Sequence, residues 1–330
     1  MGEVWKVFDE TLERSIVLKV VSPDLAKARP QHTPIFLDEA KIGASLVGHP
    51  NVVTIFDVFN EVDGGNPLLA IAMEFVHGLS CAEWIDYSSN NLDRPTKHYI
   101  SLQIATEVCK ALQYAHRNGI LHRDIKPLNI FISKYGITKI GDFGIARYVD
   151  AVTREHTVWN FKSPAYSAPE QWKNEKPSKA TDIYQLGSTL FHLFTGKLPF
   201  EADSVAALIQ KHLVDDPPNP RMQNDLLSEE LANVIQKCLA KLPASRPAIW
   251  QVFDALNKEV QQDYRMRIEI DKTNETLIKQ ITNITEFKTA TLKDNGKFSI
   301  VYVDYNEAIS EAIELILLGN VKVQLEKIVT

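Results

Sequence analysis

Two short strings hold the side chains with the clearest chemistry: His122-Arg123-Asp124-Ile125-Lys126-Pro127-Leu128-Asn129 and, further on, Asp142-Phe143-Gly144. Transfer of a phosphoryl group from ATP needs a carboxylate to orient the attacking hydroxyl and oxygen ligands for a hard cation. Asp124 suits the first task. Asn129 and Asp142 suit the second, as ligands for Mg2+ or Mn2+. Asp142 lies thirteen positions after Asn129, so intervening structure has to bring them together.

The elements expected to do so change character along the chain. Residues 2–21 alternate and then run apolar, which predicts a β-hairpin. Residues 22–34 carry Pro23, Pro30 and Pro34 and read as a loop. Helical spacing at Phe36, Ala40, Gly43 and Val47 predicts a helix over 35–47. Two strands, 52–60 and 68–75, follow around the turn at 63–67. After Cys81 helices dominate. Residues 96–118 form an amphipathic pattern with Ile100, Ile104, Val108, Leu112 and Ala115 on one face, and further helices are expected at 180–195, 204–213, 229–241 and 248–265. Short strands at 130–132 and 138–140 bracket the two chemical strings. A sheet-rich part thus precedes a helix-rich part, with the chemistry between them, where a nucleotide cleft would lie.

Bulk properties narrow the class. A hydrophobic content of 45% and a charged content of 24% are those of a globular chain. The net charge of −6 argues against a dedicated nucleic-acid binder. Cys81, Cys109 and Cys238 form no C-x-x-C pair and read as thiols of a reducing compartment. No apolar run reaches the ~18 residues of a membrane span. Charges at Glu3, Lys6, Asp9 and Glu10 interrupt any leader-like apolar segment. A cytoplasmic location is therefore expected.

H-R-D-x-K-x-x-N resembles the catalytic loop of protein kinases, and D-F-G their metal-binding loop. The resemblance is to bacterial, eukaryotic-like Ser/Thr protein kinases and covers roughly residues 2–260. It implies an α+β, two-lobed fold: a small β-rich N-lobe (1–76) and a helical C-lobe (77–262), followed by a small C-terminal α/β extension (263–330). It also implies roles. Ile16-Val17-Leu18-Lys19 resembles V-A-I-K, so Lys19 would hold phosphates and be held by Glu39, which helical phase favours over Asp38. Val4 and Val17 would roof the adenine and Phe131 would floor it. Met73 falls at the gatekeeper, and Glu74-Phe75-Val76 resembles the hinge. Lys126 would neutralise the transferring phosphoryl group, as in Ser/Thr-directed kinases. Ala168-Pro169-Glu170 resembles the A-P-E that closes the activation segment, with Arg246 as the partner of Glu170 and Asp182 as the brace of the catalytic loop. Arg123 would pair with a phosphate on Thr153 or Thr157.

Two stretches depart from the pattern. Of the glycine-rich loop G-x-G-x-x-G-x-V, only Gly2-Glu3-Val4 is present, so the chain reads as truncated within that loop, with its first strand absent. An extended form would then bind ATP better than this one. Phe161-Lys162-Ser163-Pro164-Ala165-Tyr166 stands where the family reads G-T-x-x-Y; Ser163 keeps the hydroxyl that can reach Asp124 and Lys126, whereas Lys162 replaces a glycine.

The expected function is transfer of the γ-phosphate of Mg-ATP to protein hydroxyls, with autophosphorylation. The alternative is a kinase-fold scaffold that is weak or silent because its phosphate-covering loop is incomplete. Small-molecule kinases fit less well, because they generally lack the A-P-E segment. In the extension, the pattern predicts a helix at 274–284, a strand at 297–305, an amphipathic helix at 306–318 and a strand at 322–329. It reads as a partner-binding or regulatory module, or as a structural extension packed on the helical lobe.

Overall fold

The structure is a computed structural model that describes residues 3–22, 33–63, 66–143, 164–260, 264–270, 291–293, 297–302, 305–318 and 321–327. Gly2, Gly144, Thr153, Thr157, Lys162, Ser163 and the helix expected at 274–284 lie outside the described residues.

The N-terminal lobe is a four-stranded antiparallel sheet with order β1-β2-β4-β3. Its strands are β1 (Glu3–Asp9), β2 (Arg14–Val20), β3 (Ile55–Asp63) and β4 (Asn66–Glu74). β1 lies at the edge, where Trp5 and Phe8 are exposed. Helix α1 (Thr33–Ala44) packs on the sheet, with Phe36 and Ala40 buried against Val21, Leu69, Ile71 and Met73. It begins two residues earlier than its apolar spacing suggests. Pro34 does not prevent this, because the first-turn N–H of a helix has no intrahelical acceptor to lose. It also ends earlier, at Ala44.

β5 (Gly78–Ser80) leads into α2 (Cys81–Asn91), whose start is fixed by a reciprocal capping box. Glu83 N donates to Ser80 Oγ (3.2 Å), and Ser80 N donates to Glu83 Oε2 (2.7 Å). Helix α3 (Arg94–Arg117) follows, capped by Asp93. It departs from the one-faced pattern expected of it, because Ser101, Leu102, Gln103 and Thr106 are buried as well as the apolar stripe. β6 (Ile130–Ser133) and β7 (Thr138–Ile140) form a hairpin that completes a three-stranded sheet with β5. Among the described residues, the further α-helices of this lobe are α4 (Pro169–Trp172), α5 (Lys179–Thr195), α6 (Val205–Val214), α7 (Glu229–Cys238) and α8 (Ile249–Val260). α5 and α7 approach so closely at Gly187 that a Cβ there would stand 2.5 Å from Cys238 Cβ.

The extension is built from β8 (Tyr264–Ile270), β9 (Thr291–Lys293), β10 (Lys297–Tyr302), α9 (Tyr305–Leu318) and β11 (Val321–Lys327). Its antiparallel sheet has the order β11-β8-β10-β9. The helix expected over 248–265 therefore stops at Val260, and a strand begins at Tyr264. The period-2 alternation Tyr264-Arg265-Met266-Arg267-Ile268-Glu269-Ile270 carries that strand. α9 and β11 pack on α3, which is why that helix is buried on more than one side. Ile309, Ile313, Ile316, Val323 and Leu325 join the same core cluster as the helices of the C-terminal lobe. Among the described residues, no helix is long and apolar enough to cross a membrane.

Candidate active site

The catalytic-loop string forms an irregular crossing between α3 and β6, held by backbone contacts from distant side chains. Buried Asp182 on α5 accepts from His122 N (2.9 Å) and from Arg123 N (2.7 Å), and it meets His116 Nε2 at 2.8 Å. The Arg123 carbonyl accepts from Gln185 Nε2 (2.8 Å) and Gln171 Nε2 (3.1 Å), while Ile125 N donates to Gln185 Oε1 (3.0 Å). These contacts hold Arg123 at a φ of 71°, which a non-glycine residue rarely adopts unless its surroundings impose it. Gln171, Gln185 and His116 were not singled out from the sequence. They act across separations of tens of residues and have no local signature.

Asp124 stands beside this brace. Its Oδ2 accepts from Lys126 Nζ (2.7 Å) and from Asn129 Nδ2 (3.1 Å), and its main-chain oxygen also accepts from Asn129 Nδ2 (2.8 Å). The carboxylate is thus polarised by an ammonium and an amide, while about a third of the side chain stays open to solvent. The amide of Asn129 is oriented with its nitrogen toward Asp124, which leaves Oδ1 as an oxygen donor.

The second string docks on the first through His122. Asp124 N donates to His122 Nδ1 (3.2 Å), so the ring proton sits on Nε2, which donates to Gly141 O (2.8 Å). Gly141 N in turn donates to Asn129 O (2.8 Å). Phe143 packs edge-on against His122, with ring centroids 4.6 Å apart. Asp142 has a φ of 61°, a second rare backbone conformation at the site. Its Oδ2 pairs with Lys19 Nζ at 2.9 Å, a contact that joins the two lobes. Burial works against ionisation of Asp142, but the charge and hydrogen bond of Lys19, with His122 and Lys126 nearby, hold its carboxyl below the usual value.

Strand register assembles the upper wall. Val4 pairs with Lys19, Lys19 with Ile71 and Val17 with Met73, so these five side chains share one face of the sheet. Val17, Met73, Val76 and Phe131 pack in one cluster, whereas Val4 is exposed. Glu74 bridges the lobes: its Oε2 pairs with Lys139 of β7 at 2.9 Å and accepts from Thr54 N (3.2 Å). Glu39 lies on α1 between buried Phe36 and Ala40, but its side chain is not among those described; the described partner of Lys19 is Asp142.

Below the site, Glu170 and Arg246 form a buried two-point pair, Nη1–Oε1 at 2.7 Å and Nη2–Oε2 at 2.9 Å. Thr181 Oγ1 donates to the same carboxylate (2.7 Å). Burial opposes the charge on Glu170, yet Arg246 and these donors keep its carboxyl below the usual range. Arg246 also donates to the carbonyls of Ala180, Ala240 and Lys241 (2.8–3.1 Å), so its guanidinium is fully engaged.

The donor set fits Mg2+ bound with a nucleotide. Among the described residues there is no cluster of three or more His, Cys, Asp or Glu side chains that could cage a metal by themselves. One carboxylate and one amide oxygen, from Asp142 and Asn129, suit a cation that takes the rest of its shell from phosphate and water.

Comparison with known proteins agrees with this arrangement. Residues 1–258 match the model of the protein kinase domain. The chain is 34% identical over 247 residues to serine/threonine-protein kinase PknB of Mycobacterium leprae, covering 74% of this chain and 39% of that protein. It is 33% identical over 275 residues to serine/threonine-protein kinase PrkC of Bacillus subtilis, covering 83% and 40%. It is 33% identical over 282 residues to serine/threonine-protein kinase pkn3 of Myxococcus xanthus, covering 80% and 48%. The chain thus spans less than half the length of these relatives. By its catalytic-loop geometry and by a match over most of its length, the chain belongs to the protein kinase domain family.

Proposed function

We propose that this chain is a serine/threonine protein kinase that moves the γ-phosphate of ATP onto protein hydroxyls, its own included. The observation that carries the reading is the environment of Asp124, with Lys126 at 2.7 Å and Asn129 at 3.1 Å from one carboxylate oxygen. Asp124 orients the substrate hydroxyl and accepts its proton. Lys126, 2.7 Å from Asp124, would offset charge on the transferring phosphoryl group. Lys19 is the cation for the nucleotide phosphates, and its contact with Asp142 keeps the two within reach of one ligand. Asn129 and Asp142 would hold Mg2+, which when bound neutralises charge building on the phosphate oxygens. Val4, Val17, Met73, Val76 and Phe131 line the adenine slot, with the Glu74–Val76 backbone at the adenine edge; the family resemblance assigns Gly2 to the nucleotide phosphates. By the family resemblance, Arg123 would answer to a phosphate on Thr153 or Thr157, and Ser163 keeps the hydroxyl that can bond Asp124 and Lys126. In this reading residues 1–76 and 77–262 are the two lobes and 263–330 a C-terminal extension. A cytoplasmic setting is supported by three buried, unpaired cysteines, of which burial pushes the Cys81 and Cys238 thiols up to about 12.

The test is transfer of labelled γ-phosphate to a generic protein and to the chain itself, followed by analysis of which amino acid carries the label. Label on serine or threonine that is lost in Asp142→Asn supports the reading. A folded wild-type chain that binds ATP and transfers nothing would instead favour the scaffold.

A further inference from the structure

The segment after Val260 lies beyond the span matched by the protein kinase domain, yet it touches the hairpin that carries the proposed cation ligands. Asn129 directly precedes β6, Asp142 follows β7, and the Gly141 N to Asn129 O bond (2.8 Å) closes the root of the hairpin. At its other end, the β6–β7 turn abuts α9. Gly136, with φ at 74°, sits so close that a Cβ would meet Ser310 Cα at 2.5 Å and Ser310 O at 2.8 Å. Lys134 on the same turn acts electrostatically on Glu314, four residues along α9 from Ser310. α9 is itself anchored, because Ile309 and Ile313 are fully buried in the core of the C-terminal lobe. β11 is tied to α3 by a buried bond from Leu325 N to Thr96 Oγ1 (2.9 Å). α3 also grips the hairpin directly: Glu107 accepts from Thr138 N at 2.6 Å. One helix therefore carries the extension near its start and the hairpin near its middle.

We propose that α9 is a positioning element of the phosphoryl-transfer site, clamping the β6–β7 turn and thereby setting how Asn129 and Asp142 face a shared cation. This rests on the reading of those two residues as cation ligands. Gly136, Lys134, Ser310 and Glu314 are positioning residues that touch neither nucleotide nor protein substrate. The working unit then runs through β11 rather than ending at α8.

The test uses the full chain. Gly136→Asn keeps a residue type that tolerates positive φ but drives a Cβ into α9. The readouts are the Mg2+ dependence of phosphoryl transfer and amide hydrogen exchange across residues 130–140. Outer partners of metal ligands typically matter by 10–100-fold, so the Mg2+ concentration for half-maximal rate should rise about tenfold, with a smaller loss at saturating Mg2+. Exchange at 130–140 should quicken. A folded variant with the wild-type Mg2+ midpoint and exchange overturns the proposal. If Gly136→Asn does not fold, Lys134→Glu decides: it should raise the midpoint, and Lys134→Glu with Glu314→Lys should restore it. An unchanged midpoint in Lys134→Glu overturns the clamp. If the wild-type chain transfers no phosphate at all, the kinase reading has failed, and hydrogen exchange in the same variants still decides the clamp.

Discussion

Replacing Arg246 with alanine tests the architecture beneath the site. Arg246 makes two bonds to Glu170 and one each to the carbonyls of Ala180, Ala240 and Lys241, all at 3.1 Å or less. Neither side chain of the pair has appreciable solvent exposure. Deleting the guanidinium leaves a buried carboxylate that, among the described residues, keeps Thr181 as its side-chain donor. Breaking a buried pair on one side costs roughly 3–5 kcal/mol, far more than the median exposed pair. Urea denaturation of Arg246→Ala near neutral pH should show a loss in that range with an unchanged denaturant slope. Removing both partners in Glu170→Met with Arg246→Met should cost less than the single change, because no charge is stranded. The sign with pH follows from the depressed carboxyl of Glu170. A group whose folded pKa lies below its unfolded value stabilises fully above the unfolded value, about 4.3 for Glu, and loses that contribution as pH falls through the folded value. The gap between wild type and Arg246→Ala should therefore narrow on acidification below that region. A loss under about 1 kcal/mol, the level of an exposed pair, would refute the reasoning.

Other outcomes follow from the same geometry. Lys19→Met removes the main influence that lowers the Asp142 pKa and leaves burial opposed only by His122 and Lys126, so that carboxyl should titrate higher than in wild type by NMR; an unchanged titration would show that Lys19 does not set it. Gly187→Ala places a Cβ 2.5 Å from Cys238 Cβ, and overpacking of this kind costs about 1–3 kcal/mol by thermal or chemical melting. Asp182→Ala leaves the His122 and Arg123 amides without acceptors; each buried orphan costs about 1–3 kcal/mol, and the phosphoryl-transfer rate should fall along with stability.

Much of the site was legible because its chemistry is local. Asp124, Lys126 and Asn129 sit within six residues, and in the structure Lys126 and Asn129 both reach the Asp124 carboxylate, a contact that the separate roles read for them did not specify. Asp142 required only the short hairpin that the apolar strands at 130–132 and 138–140 announced. Glu170 and Arg246 are far apart in sequence, yet they were paired from the family resemblance, and they meet. Gln171 and Gln185 were not legible, because an amide that brackets a distant backbone carbonyl looks like any helix glutamine. The all-round burial of α3 was hidden for a related reason: its second covering layer comes from α9 and β11, some two hundred residues later. β8 was missed although its alternation is plain, because the apolar rhythm of α8 leads straight into it.

The central claim is that Asp124, steadied by Lys126 and Asn129, works on a protein hydroxyl during phosphoryl transfer. It is met most directly by the initial rate of Mg-dependent γ-phosphate transfer to a serine-containing protein, compared between wild type and Asp124→Asn. Loss of a positioned acid–base group is worth 10²–10⁴ in rate, so the substituted chain should be slower by about 100-fold or more while its ATP affinity changes little. Equal rates for the two folded chains would contradict the account.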